Sequence, residues 1–249
     1  MNENILISLE KLSALKKQLD QLRPLPQANM AKLKEYFDVD WTYNSNAIEG
    51  NTLTLGETKL VILDGVTIGG KSVREHLEAI NHKKAIDYLE SIAPKTRKIT
   101  EEIILDLHRL ILRENDDQNA GRYRDKKVYL SGSYFVPPEA QEVPLKMNTF
   151  INQLEESKKH PIIAAADAHL GLVTIHPFID GNGRCARLLM NLILIKDGYP
   201  PAIILMSRRE EYIKYLEKAQ ASNDLDPYYL LVCECAEYSL NQYLNAMKC

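Results

Sequence analysis

Four cysteines in 249 residues, at positions 185, 233, 235 and 249, are too few and too scattered for a disulfide framework or a paired zinc pattern. Cys233 and Cys235 flank Glu234, but neighbouring positions on a helix point to different faces, so chelation by this trio is not expected. A reducing, cytoplasmic setting is the simplest reading. No apolar run reaches membrane-spanning length, and the N-terminal MNENILISLEKLSALKKQL is too polar and interrupted for a signal peptide. No membrane partner is expected. Positive charge is not in surplus: 31 Lys and Arg stand against 34 Asp and Glu, a net charge of -3, which disfavours nucleic acid as a partner. Internal repeats and low-complexity linkers are also lacking. What remains is an ordinary globular composition, 45% hydrophobic, with enough apolar residues for a sizeable core in one large domain or two small ones.

Most of the chain has helical period. Ile5, Leu12, Leu15, Leu19 and Leu22 line one face of a first helix that Pro24 and Pro26 end. That stripe suits an ordinary packing face and also permits a homodimer seam. Further helices are predicted over residues 31–50, ending at Gly50, over 72–91, and from an N-cap at Thr100. The pattern changes in KKVYLSGSYFV, which alternates around Gly132 and reads as a β-hairpin over 126–136, closed by Pro137 and Pro138. Helices resume at 145–157, 162–174, 184–197, 208–221 and 227–246. The segment 162–174 is rich in alanine and holds Gly171, which permits close packing at the centre. The fold class is mainly α with one hairpin, and a polar loop lies between two apolar helices.

That loop, HPFIDGNGRCAR at 176–187, collects chemistry that no packed core requires. His176 titrates near neutrality and can take a proton from a hydroxyl. Asp180 supplies one carboxylate, enough for a magnesium ion otherwise held by substrate phosphates. Gly181, Asn182 and Gly183 let backbone amides converge on an anion. The next helix points its positive end at the same place, and Arg184 and Arg187, three apart, project near that end. Arginine forks match phosphate oxygens.

HPFIDGNGRCAR resembles the signature of Fic-domain proteins, HPFx(D/E)GNGRxxR, and matches every specified position. The resemblance extends from about residue 40 to 245. It implies an all-α core that transfers AMP from ATP to a Ser, Thr or Tyr hydroxyl of a target protein and releases pyrophosphate. By this resemblance His176 is the base and Asp180 holds Mg²⁺. Asp180, Gly181, Asn182, Gly183, Arg184, Cys185, Ala186 and Arg187 line the phosphates. The hairpin is a flap, and Val128, Tyr129, Leu130 and Ser131 align the target by strand addition. The GNGR form, without lysine, argues against the kinase-like branch of the family. The chain also ends too soon for the DNA-binding winged helix that some relatives carry.

SNAIEG, residues 45–50, is a second such stretch. Ser45 and Glu49 share a helical face. A carboxylate at a helix C-terminus opposes the dipole, so Glu49 requires a cation from elsewhere. The stretch is similar to the (S/T)xxxE(G/N) motif of Fic inhibitory helices. The resemblance implies that Ser45, Glu49 and Gly50 form that element, with Glu49 on Arg187 in the space of the γ-phosphate. It divides the chain into an N-terminal helical region, 1–95, and a catalytic core, 96–249. Residues 208–221 are similar to the segment that frames adenine, which makes Tyr212, Tyr215 and Gln220 candidates for contacting the base. His169 is assigned a buried structural role, whereas His76, His82, His108 and His160 have no converging partners in sequence.

Other readings stand beside this one. The same site could remove AMP or transfer another nucleotide. A protein-binding module could hold ATP without reacting, although an intact His176 counts against that. GVTIGGKS, residues 65–72, formally fits GxxxxGK(S/T), and a P-loop NTPase would use it. It follows KLVILD and precedes a helical pattern, but only KLVILD and AIILM are strand-like, far short of a parallel sheet.

Overall fold

A computed structural model describes residues 2–24, 27–130 and 135–247, the side chains of 27–29 excepted. The described residues form α-helices and three short 3-10 helices joined by turns and by a longer irregular segment that includes 113–130 and 135–139, with no strand among them.

Helix α1 (Glu3–Gln21) begins where the Asn2 side chain accepts the Ile5 N–H at 3.1 Å. Its apolar stripe, Ile5, Leu9, Leu12 and Leu19, is buried. The helix packs against α10 (Asp226–Ala246) of the same chain, so the stripe is an internal packing face. Helix α2 (Gln27–Ile48) starts four residues before the expected 31, and beyond it Gly50 turns the chain at φ +100°. Only glycine adopts that angle without strain.

Helix α3 (Leu55–Leu63) corrects the strand reading of KLVILD. A capping box between Thr54 and Glu57 starts the helix, and Thr58 and Val61 turn inward one turn later. The other strand-like segment, AIILM, lacks regular structure up to Leu205 and turns into a 3-10 helix at Met206, and its start pairs with a side chain. Asn191 accepts the Ala202 N–H at 2.7 Å and donates to its carbonyl at 3.2 Å. Without a strand before it, GVTIGGKS is a turn. Lys71 donates to the Thr52 carbonyl and hydroxyl at 2.6 and 3.0 Å. Ser72 forms a capping box with Glu75 at the start of α4 (Val73–Ile92). The residues that a P-loop would direct at phosphate and metal are thus tied to their own neighbourhood.

Thr100 caps α5 (Glu101–Leu112), as its position before two glutamates predicts. The hairpin expected at 126–136 is not a strand pair in its described part. Residues 126–130 lack regular secondary structure, and 131–134 lie outside the described residues. Helices α6 (Val143–Glu156), α7 (Pro161–Ile175), α8 (Asn182–Lys196) and α9 (Arg209–Ser222) complete the order before α10. A Cβ on Gly171 of α7 would come within 2.4 Å of the Phe150 ring of α6, so glycine allows this close crossing. One apolar core runs continuously from Ile5 to Leu244, and a small second cluster of Leu53, Val61 and Ala79 lies beneath α3.

Three histidines are fully buried in this core: His82, His108 and His169. Burial pulls the pKa of His108 down to about 4 and that of His169 down to about 3, and holds His82 well below 6.5. All three are depressed, so below pH 6.5 the unfolded chain binds protons that the native chain does not. Their stabilising contribution is complete above pH 6.5 and is lost as pH falls, through about 4 for His108 and about 3 for His169. Each histidine titrating in this way contributes a slope of roughly 1.4 kcal/mol per pH unit. Urea midpoints measured from pH 7.5 to 5 are expected to fall steadily below pH 6.5, and a midpoint constant over that range would contradict this account.

Candidate functional site

The loop between α7 and α8 is built from its own residues outward. His176 ends α7 in the left-handed region, φ 50° and ψ 58°, with its N–H on the Leu172 carbonyl at 2.9 Å. Histidine is among the few side chains that tolerate this region, and Pro177 then carries the chain away. Phe178 is fully buried, with its ring stacked on His108 at 3.6 Å between centroids and 5° between planes. The Asn182 side chain closes the turn by bonding both backbone groups of Phe178 at 2.9 Å.

Two further residues fix the loop from outside. His108 Nδ1 accepts the Gly121 N–H at 2.9 Å, which leaves Nε2–H to donate to the Asp180 carbonyl at 2.9 Å. Arg124, buried, donates Nε–H to the His176 carbonyl at 2.8 Å. Its other nitrogens bond the carbonyls of Lys126 at 3.0 Å and Pro138 at 2.5 Å, the two roots of the segment expected to be the flap. The position of His176 is therefore tied to those roots by one guanidinium.

Helix α8 starts at Asn182, two residues before the expected 184. Gly181 precedes it at φ +76°, and no side chain caps the helix. Its first-turn amides, those of Asn182, Gly183 and Arg184, thus open toward the mouth of the loop with the positive end of the helix dipole. The Cys185 N–H is already bonded to the Gly181 carbonyl at 2.9 Å. Cys185 and Ala186 are fully buried, so neither side chain reaches a ligand, contrary to their inclusion in the phosphate-lining set. The Asn182 side chain likewise holds the turn and leaves only its amide for an anion.

The charged side chains converge, and each is already paired. Arg187 is buried, and its Nη2 lies 2.8 Å from Glu49 Oε1 and 2.8 Å from the Ser45 carbonyl. Its Nε donates to Ser45 Oγ at 3.1 Å and its Nη1 to the Tyr212 hydroxyl at 3.5 Å. Burial draws the Arg187 pKa down, but the Glu49 carboxylate and Tyr212 outweigh it, and the net direction is upward. A Cβ on Gly183 would lie 2.2 Å from Glu49 Oε1, so glycine at this position admits the carboxylate. Arg184 sits 3.4 Å from Glu78 and 3.5 Å from Asp180. Arg74 donates to Asp180 at 3.0 Å and to Glu78 at 3.1 Å. The Asp180 carboxylate, 44% exposed, is a hard oxygen donor at the mouth of the loop. No group of three His, Cys, Asp or Glu side chains converges for a metal among the described residues. This donor set fits one Mg²⁺ that arrives on phosphates better than a cage made of protein ligands alone.

Burial lowers the His176 pKa to about 4, partly opposed by its bond to Val173. That carbonyl, 3.3 Å from Nδ1, can only accept, so Nδ1 carries the proton and Nε2 is left as an acceptor. The site can therefore accept a proton and receive an anion within one loop.

The adenine candidates take separate partners. Tyr212 is buried and reaches the site through its hydroxyl, not through an exposed ring face. Tyr215 donates to Glu211 one turn earlier at 3.0 Å and lines a different cleft with Arg208, Asp226 and Leu231. Gln220 bonds Thr174 of α7 at 3.3 Å. Tyr129 is exposed, Val128 and Leu130 are described without regular structure, and Ser131 lies outside the described residues. Reading the sequence alone missed His108, Arg124, Glu78 and Arg74. AGRYR, next to the flap, was a signal for Arg124, whereas His108 carries no local signal on its helix.

A family model described as Fic/DOC family matches residues 98–194, the segment that builds this loop. A protein named "Protein adenylyltransferase Fic" from Nematostella vectensis is 38% identical over 243 residues, covering 94% of this chain and 56% of that protein. The chain spans about half the length of the curated relatives it matches. The solved structure "Fic-1 (aa134 - 508) from C. elegans" is 34% identical with a TM-score of 0.88, covering 97% of this chain and 72% of that one. A Fic domain containing signaling protein from Bacteroides thetaiotaomicron is 30% identical with a TM-score of 0.86, covering 97% of both chains. Likeness over nearly the whole length, at 30% identity or more in both solved structures, places the chain in the Fic/DOC family.

Proposed function

We propose that this chain transfers AMP from ATP to a hydroxyl side chain of a target protein and that Glu49 restrains the transfer. One observation carries the reading: a neutral His176 stands beside an uncapped helix N-terminus whose buried arginine is held by a carboxylate. The names of the relatives support the same class of reaction.

The chemistry follows from the groups in place. The amides of Asn182, Gly183 and Arg184 and the positive end of α8 receive the phosphates, with Arg184 beside them and Arg187 on the terminal one. Asp180 would hold Mg²⁺, which when bound neutralises phosphate charge. The target hydroxyl oxygen bonds to the α-phosphorus while its proton moves to His176 Nε2, and the bond to the pyrophosphate oxygen breaks. Positioning and charge neutralisation supply most of the acceleration. The backbone around Val128, Tyr129 and Leu130 would take the target as an added strand, at a distance from the base that Arg124 sets. In this division residues 1–95 form the restraining region and 96–249 the core.

Restraint is electrostatic. While Glu49 occupies Arg187, that arginine cannot clamp the terminal phosphate, and ATP binds in a non-productive pose. Removing AMP, or transferring another nucleotide, would use the same groups, and the mass of the modification distinguishes these reactions.

Glu49→Gly is expected to raise AMP transfer about tenfold or more, equivalent to ~1.4 kcal/mol of barrier. The measure is mass spectrometry of the protein and of lysate targets after incubation with ATP and Mg²⁺. Adding His176→Ala to it should reduce the rate by roughly 10²–10⁴-fold. An unchanged rate in the first variant sinks the restraint, and an unchanged rate in the second sinks the assigned base. His176 is already neutral well above its pKa of about 4, so kcat/KM of Glu49→Gly is expected to stay flat from pH 8 to 6. A base titrating at the ordinary 6.5 would instead lose about three-quarters of the rate by that pH.

A further inference from the structure

Behind Arg187 runs a line of polar side chains with no part in the chemistry above. The Tyr212 hydroxyl lies 3.5 Å from Arg187 Nη1 and 2.8 Å from His169 Nε2. His169 Nδ1 lies 2.8 Å from the Tyr228 hydroxyl, which is 3.4 Å from the Ala166 carbonyl. The line draws on α8, α9, α7 and α10, and all its side chains are buried.

Both ends of this line have fixed polarity. A guanidinium only donates and a carbonyl only accepts. Tyr212 must therefore accept from Arg187 and give its own proton to His169 Nε2. His169 must carry its proton on Nδ1 and donate it to Tyr228, which in turn donates to Ala166. Reversing any link would set two hydrogens against each other or leave a buried donor unpaired. Burial and the nearby Arg187 charge both keep the imidazole neutral, which keeps Nε2 an acceptor.

Tyr212 also differs from the other partners of Arg187. Among the described contacts, those to Ser45 and Glu49 come from the end of α2 and the turn after it. These must yield when a phosphate takes their place, whereas Tyr212 on α9 can remain. We propose that His169 is a positioning residue: by accepting the Tyr212 proton it turns a hydroxyl lone pair onto Arg187 and holds the guanidinium aimed at the N-terminus of α8, ready for the terminal phosphate. The inference rests on the nucleotide reading of the site.

Two substitutions separate positioning from mere core packing. In His169→Gln the amide oxygen reaches the Nε2 position and still accepts from Tyr212. In His169→Asn the amide reaches only the Nδ1 position and leaves Tyr212 without an acceptor. Both are made in the Glu49→Gly protein, and Mg²⁺–ATP binding is measured by calorimetry alongside urea denaturation. The glutamine variant should keep the Kd of its parent within about twofold, and the asparagine variant should weaken it about tenfold, with similar losses of stability in the two. Equal Kd changes in the two variants overturn the proposal. If the variants fail to fold, the ring ¹⁵N shifts of His169 in the native protein decide. A proton on Nδ1 supports the assignment, and a proton on Nε2 overturns it. If the Glu49→Gly parent binds no ATP, the nucleotide reading falls and this inference falls with it. A parent that binds, with indistinguishable variants, overturns the inference alone.

Discussion

Arg187 is a charged group with almost no access to water, and that constraint organises the whole site. A guanidinium taken out of solvent must meet an anion or lose several kcal/mol. Its position on α8, one turn inside an uncapped helix N-terminus, keeps any such anion close to the loop. Here the anion is Glu49, which is 39% exposed and comes from the end of α2. A phosphate would satisfy the same charge in the same place. Carboxylate and phosphate are thus alternative answers to one burial problem, and this equivalence gives the proposed restraint its physical basis. Gly183 makes the carboxylate answer available, since any side chain there would meet Glu49.

The rest of the loop is held so that this choice is local. His108, Phe178 and Asn182 fix the turn through a ring stack and paired backbone bonds, and Arg124 fixes the carbonyl of His176. None of these contacts requires Glu49. Glu49 can therefore leave without dismantling the loop, whereas loss of a loop contact would move His176 and the start of α8 together. Glu78 and Arg74 of α4 extend the same pattern, since they neutralise Arg184 and Asp180 across the mouth of the loop. Every charge of the loop is thus answered from outside it.

The legible parts of the chain were those governed by near neighbours. Thr100 and the helix after it, the long apolar helices, and the glycine turns were visible because a cap or a left-handed glycine acts within three or four residues. The loop residues were visible as a set because 176–187 holds them together. KLVILD misled because its apolar run fits either period, and the capping box at Thr54 decided the matter. Cys185 and Ala186 misled because a motif specifies positions and does not say which side chains face inward. His108 was illegible: its partner carbonyl lies 72 residues away, and nothing on its own helix distinguishes it from a packed core histidine.

What the sequence determined by itself was local conformation and chemical inventory: helix starts and stops, a turn that exposes amides, one histidine, one carboxylate and two arginines in twelve residues. It also supplied a carboxylate at a helix end that required a distant cation. Tertiary structure alone decided which charges meet, which nitrogens carry protons, and which motif residues are buried. Glu49 and Arg187 are 138 residues apart. Their contact depends on how α2 and α8 cross, and that crossing is set by the packing of the whole core, which no short stretch of chain encodes.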